Sequence, residues 1–177
     1  FVSVIVLTLW ISGAGRLFFL SVVVFSIVVM FFHYHAIFVF VNLQMGLVAL
    51  FTYLIYIGVV IIFMLHKIFS EERVTADTVK GSISVYILIG MWWQILYTTI
   101  WVLNPSSFDL HDSRINSPDF FYFSFTTMTT LGYGDIIARS HTAKTAAMLQ
   151  AVTGQMYIGI LIARLVSLHI LHSNKKQ

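Results

Sequence analysis

A chain of 177 residues in which 59% are hydrophobic and only 10% charged has too little polar surface to cover a water-soluble fold, and this puts it in a membrane. Its formal net charge of +3 is small and scattered, without the basic, aromatic-interleaved cluster that a nucleic-acid partner needs. With no cysteine there is no disulfide framework and no thiolate metal site.

Three stretches contain no Asp, Glu, Lys or Arg: residues 17–65, 81–108 and 145–163. Each is long enough to cross ~30 Å of hydrocarbon as a helix. Residues 1–11 are apolar but too short to span alone and read as the end of a helix, and the opening Phe1 in place of methionine sets the expectation that the amino terminus lies further upstream. SGAG at residues 12–15 is a tight turn before Arg16, a charge suited to a membrane surface. A second helix is expected over 17–32 and a polar boundary at His33 and His35. The third, over 37–65, must tilt or project beyond the bilayer, and its Asn42 and Gln44 need polar partners. Residues 66–80, HKIFSEERVTADTVK, are densely charged and read as a surface linker in which Thr75 or Asp77 caps the next helix. A full span follows over 82–103, with Trp101 where an interfacial aromatic is expected, and then a turn-rich segment. Residues 119–129, DFFYFSFTTMT, are apolar, aromatic and about three turns long, which suits a re-entrant helix. A last helix is expected over 141–171.

Sidedness follows from the basic residues. Putting the linker in the cytoplasm places Arg16, Lys67, Arg73, Lys80, Arg164, Lys175 and Lys176 inside, against Arg114, Arg139 and Lys144 outside. That bias favours a cytoplasmic linker and leaves the segment after the re-entrant helix near the outer face.

That segment is FTTMTTLGYGDI, residues 125–136. Non-helical backbone at membrane depth is tolerated only where it lines a water-filled path or is buried in protein. Gly132 and Gly134 permit positive φ, so consecutive carbonyls can turn toward one side instead of alternating as in a strand. A row of such carbonyls is the coordination shell of a dehydrated cation. Thr130 adds a hydroxyl at the inner end, and the carboxyl end of the preceding helix adds negative potential.

TTLGYGD resembles the selectivity filter of tetrameric potassium channels, in the form Thr-Val/Leu-Gly-Tyr-Gly-Asp. The resemblance implies four copies around one pore, a homotetramer in the lipid bilayer. Potassium ions would be held by the backbone carbonyls of Thr130, Leu131, Gly132 and Tyr133 and by the Thr130 hydroxyl, with Gly134 completing the filter. It also implies a hinge at Gly154, twenty residues beyond Gly134, with Gly159 as a second flexible point. RVTADTVKGSISVY and GQMYIGILIARLV look like small prokaryotic members of this family that carry four preceding spans, so a prokaryotic plasma membrane with the filter on its outer side is the expected location. The pore resemblance covers residue 73 to about residue 171.

Two departures matter. Where many relatives have a pore-helix tryptophan that braces the filter tyrosine, this chain has Phe123, which offers Tyr133 no donor. Tyr122 stands where an aromatic polar group often holds the filter aspartate, here Asp135. Thr126 takes the place of a glutamate found behind the filter in some relatives, so acid-linked filter behaviour is not carried over.

Other candidates are weaker. His33 and His35 point apart on a helix and too few ligands accompany them for a metal site. His169 and His172 share a helix face near the inner mouth. Asp109, His111 and Asp112 precede the re-entrant helix, where acids concentrate cations. No Ser/His/Asp or paired-carboxylate arrangement suggests catalysis. Residues 17–65 lack the spaced basic residues of a voltage sensor.

If Gly154 is a hinge, the stripe Gln155, Ile158, Ile162, Val166 and Ile170 faces the water path, and a ring of Ile162 or Val166 closes it by dewetting. Arg164 then points away from the pore. It either snorkels to the headgroups or pairs with an acid of the linker, with Asp77 preferred.

The resulting expectation is an all-α membrane protein: upstream helices over 1–65, a cytoplasmic linker over 66–80, a two-span pore domain with re-entrant helix over 81–172, and a tail over 173–177. Its function is passive potassium conduction without catalysis or cofactor. The competing readings are a weakly selective cation channel on the same fold, and a transporter or accessory subunit with a borrowed cation loop.

Overall fold

The computed structural model describes residues 43–71, 75–110 and 119–174. The helices expected over 1–11 and 17–32, Arg16, His33, His35, Asn42, Arg73, His111, Asp112, Arg114, Lys175 and Lys176 lie outside the described residues, as do the side chains of His169, Ile170 and His172. The chain divides into two compact units, Phe1–Val85 and Tyr86–Gln177.

In the first unit, α1 (Leu43–Ser70) carries no charge until Lys67, in its last turn, where a cation complements the helix dipole. At 28 residues it is about 42 Å long, more than a bilayer core, as its apolar length demands. Val48, Phe51, Ile55, Val59 and Ile62 form an exposed apolar stripe at helical spacing, while Ile57, Val60, Met64 and Ile68 are buried. The Ser70 hydroxyl closes the helix by donating to the His66 carbonyl at 2.7 Å.

Helix therefore occupies both ends of the segment read as a linker, at 66–70 and 76–80. α2 (Ala76–Leu103) begins with a reciprocal cap. The Thr78 amide donates to the Thr75 hydroxyl and the Thr75 amide to the Thr78 hydroxyl, each at 3.2 Å, so Thr78 does the work that Glu or Gln does in a capping box. The Thr78 hydroxyl also donates to the Glu71 carboxylate, drawing the end of α1 to the start of α2.

The second unit contains the rest of α2, a 3-10 turn (Pro105–Ser107), β1 (Phe108–Leu110), α3 (Asp119–Met128), β2 (Ile136–Ala138) and α4 (His141–Asn174). Pro105 cannot continue α2, and the Asn104 side chain caps the 3-10 turn that follows by accepting from the Ser106 amide at 3.2 Å. β1 and β2 pair antiparallel with Asp109 opposite Ile137, an addition to the all-helical expectation. The Ser140 hydroxyl caps α4 by accepting from the Ala143 amide at 3.1 Å.

α3 sits in an aromatic core. Tyr97 meets Phe123 at 4.9 Å and Phe108 at 5.7 Å between ring centroids, and Phe108 meets Phe120 at 4.9 Å, all edge-on. Such pairs add about 0.5–1.5 kcal/mol each beyond the area they bury. Close approach of α3 to α2 depends on Gly90, where a Cβ would fall 2.6 Å from the Phe125 ring.

Among the described residues three helical segments, Gly46–Ser70, Ala76–Leu103 and His141–Ser167, are long and apolar enough to cross a membrane. The architecture is that of an all-α membrane protein with a half-helix, α3, between its last two spans.

Candidate functional site

The loop after α3 hangs from one carbonyl. The Leu131 and Gly132 amides both donate to the Thr126 oxygen, at 2.8 and 3.2 Å, and the Thr130 amide donates to Thr127 at 3.0 Å. Beyond that anchor, left-handed residues alternate with others: φ is +58° at Thr130, +50° at Gly132 and +80° at Gly134. Glycine adopts this conformation freely, whereas at Thr130 it costs about 1–2 kcal/mol. Thr130 is the one non-glycine residue with positive φ among the described residues. Alternating handedness turns successive carbonyls toward one side of the chain. Residues 129–135 are exposed, and neither Gly132 nor Gly134 has an atom within 4 Å of where a Cβ would stand. Their need for glycine is thus conformational.

The flanks of the loop are fixed by side chains. The Tyr122 hydroxyl hydrogen-bonds the Asp135 carboxylate, which pushes its pKa from 10.0 up to about 12. The Tyr122 ring lies parallel to that of Tyr133, 3° apart in plane and 6.4 Å between centroids. Asp135 also accepts from the Ile136 amide at 3.1 Å. Thr126 is buried and turns its hydroxyl back to the Phe123 carbonyl at 3.1 Å, so it supports the loop through its own carbonyl instead of its hydroxyl. Phe123 is buried in the aromatic core.

Past β2, Arg139 closes on Asp109 at 2.6 Å, and its amide donates to the Ser107 carbonyl at 2.8 Å. The exit of the loop is thereby tied to the end of α2 through the β1–β2 pair.

α4 runs unbroken through Gly154. That glycine is buried, and a Cβ there would fall 2.6 Å from both the Met128 carbonyl oxygen and its Cγ. The glycine has a packing duty against the end of α3, whereas Gly159 has nothing within 4 Å. Gln155, Ile158, Ile162 and Val166 are exposed, as are Met156 and Ile160 on another face of the helix, so exposure in one chain does not single out a stripe. Arg164 is half-buried. Asp77 lies 3.8 Å from Lys80 on its own helix, an exposed pair worth about 0–1 kcal/mol. Among the described residues no group of three His, Asp or Glu could hold a metal ion.

Sequence reasoning missed a buried polar chain of Tyr97, Ser124 and Gln150. The Gln150 amide donates to the Ser124 carbonyl at 2.9 Å and hydroxyl at 2.7 Å, and its oxygen accepts from the Tyr97 hydroxyl. Gln150 inside the charge-free stretch 145–163 was the available signal.

Residues 83–169 match a family model described as an ion channel. Two-pore potassium channel 4 of Arabidopsis thaliana is 32% identical over 105 residues, which is 58% of this chain and 37% of that protein. The chain thus spans little more than a third of that relative's length. No solved structure matches. The half-helix and glycine loop set between two apolar spans lie within residues 83–169, so this part of the chain is similar to ion-channel domains.

Proposed function

We propose that this chain is one subunit of a potassium-selective channel in which four copies surround a single pore. On this reading it is not an enzyme and needs no cofactor, K⁺ being the permeant ion. The observation that carries the selectivity is the alternation of left-handed residues at Thr130, Gly132 and Gly134. It supports a row of inward carbonyls from Thr130, Leu131, Gly132 and Tyr133, which with the Thr130 hydroxyl replaces the hydration shell of K⁺.

One chain offers one side of such a cage. Within an apolar 18-residue stretch of His141–Ser167 only 17% is buried, against 61% in that of Ala76–Leu103, which supports α4 as the element that further copies and the pore must cover. The excess of basic residues on the linker side supports a filter at the outer face. Gating belongs to α4: Ile162 or Val166 closes the path by dewetting, with Gly154 and Gly159 as the flexible points of the helix.

Purified protein in liposomes tests the reading. Potassium flux should far exceed sodium flux at equal gradients. Equal fluxes would favour a weakly selective cation channel on the same fold, and no flux would favour a transporter or accessory role.

A further inference from the structure

We propose that Gln150 is a positioning residue for ion selection, holding the half-helix from which the filter hangs against the spans on either side; this rests on the filter reading above. The filter's inner end is suspended from the Thr126 carbonyl. Thr126 belongs to the last turns of α3, and so does Ser124, whose carbonyl and hydroxyl are both engaged by the Gln150 amide.

Every proton in this chain of bonds has one place to go. The Tyr97 hydroxyl donates to the Gln150 oxygen, the two Gln150 amide hydrogens go to Ser124, and the Ser124 hydroxyl donates to the Gly90 carbonyl at 2.6 Å. Tyr97 and Gly90 lie on α2, Ser124 on α3 and Gln150 on α4, so one glutamine joins three helices. Tyr97, Ser124 and Gln150 are fully buried. A buried network with all its donors spent has no slack, and removing one member strands the others without water to replace it.

The geometry separates this role from plain helix-to-helix adhesion. Met128 ends α3 against Gly154, one turn along α4 from Gln150. The two contacts fix both the tilt of α3 and its advance toward the pore. Selective binding of a dehydrated ion needs its oxygens at a fixed reach, and a half-helix free to tilt relaxes that reach. The residue acts through Ser124 and α3, and it touches no ion.

The test measures reversal potentials under K⁺/Na⁺ bi-ionic conditions for the full chain, Gln150→Met and Tyr97→Phe in planar bilayers. A wild-type channel without potassium preference would overturn the filter reading and this proposal with it. With a selective wild type, Gln150→Met should lower the K⁺/Na⁺ permeability ratio by about fivefold or more, the factor that one net hydrogen bond represents. Tyr97→Phe keeps both bonds to Ser124 and should lower the ratio less. An assembled Gln150→Met channel with the wild-type ratio overturns the proposal. Should Gln150→Met fail to assemble, Tyr97→Phe decides: a lowered ratio supports the positioning role, and an unchanged ratio reduces the network to structural glue.

Discussion

Gly132 has φ of +50° and open space where a Cβ would stand, so Gly132→Ala acts on backbone conformation and not through a clash. An alanine in the left-handed region costs about 1–2 kcal/mol, enough to rotate the peptide. We expect Gly132→Ala to assemble normally and to lose most of its potassium preference in bi-ionic recordings; an unchanged ratio would remove Gly132 from the filter. Tyr122 gives a second residue-level prediction. Its pKa is raised from 10.0 to about 12 by the bond to Asp135, so from about pH 10 to pH 12 the folded chain keeps a proton that the unfolded chain releases. Its contribution to stability is complete below pH 10 and falls as pH rises through that window. Tyr122→Phe should therefore melt at a temperature that declines less between pH 10 and 12 than the wild type's. Positive φ at the two glycines was legible in the sequence because glycine is the residue that adopts it without strain. Thr130 was not, since a β-branched residue disfavours that region and only the surrounding structure imposes it.

At the scale of elements, the contact between α4 and the end of α3 distinguishes two glycines that look alike in sequence. Gly154→Ala places a methyl carbon 2.6 Å from the Met128 carbonyl and should destabilise the assembled protein by about 1–3 kcal/mol, while Gly159→Ala meets nothing and should stay within about 0.5 kcal/mol. Thermal melting of both variants checks this, and equal melting temperatures would leave Gly154 a hinge without a packing duty. The β1–β2 pair offers another test. Asp109→Asn removes an exposed partner of Arg139, so stability should change by less than about 1 kcal/mol. If the proposed pore opens beside this pair, the uncompensated cation should lower potassium conductance at low salt, and the difference should vanish at high salt. A conductance equal to wild type at low salt would place Arg139 away from the ion path. The spans and the half-helix were readable from charge-free length and apolar run. The three-residue strands were not, because Phe108–Leu110 is too short to show alternation. Nor were the bonds of Gln150, which reach 26 and 53 residues along the chain to partners that no local pattern relates.

For the whole molecule, the central claim is that a loop exposed in one chain becomes an ion cage when copies meet. The apolar surface of α4 and the loop at 129–135 are both exposed in a single chain, and the proposed assembly around a common axis would cover them together. Arg164, half-buried and two positions from both Ile162 and Val166, points away from the helix face that those two share. A double-mutant cycle of Arg164→Gln and Asp77→Asn on open probability should be non-additive if the two residues are coupled, and strict additivity would leave Arg164 a membrane-surface anchor. The most direct measurement is anomalous diffraction from crystals of the assembled protein grown with thallium(I) or rubidium in place of potassium. The account predicts a single file of ion peaks on a fourfold axis, level with the carbonyls of Thr130, Leu131, Gly132 and Tyr133. Ion peaks elsewhere, or an assembly in which these carbonyls do not face a common axis, would contradict it.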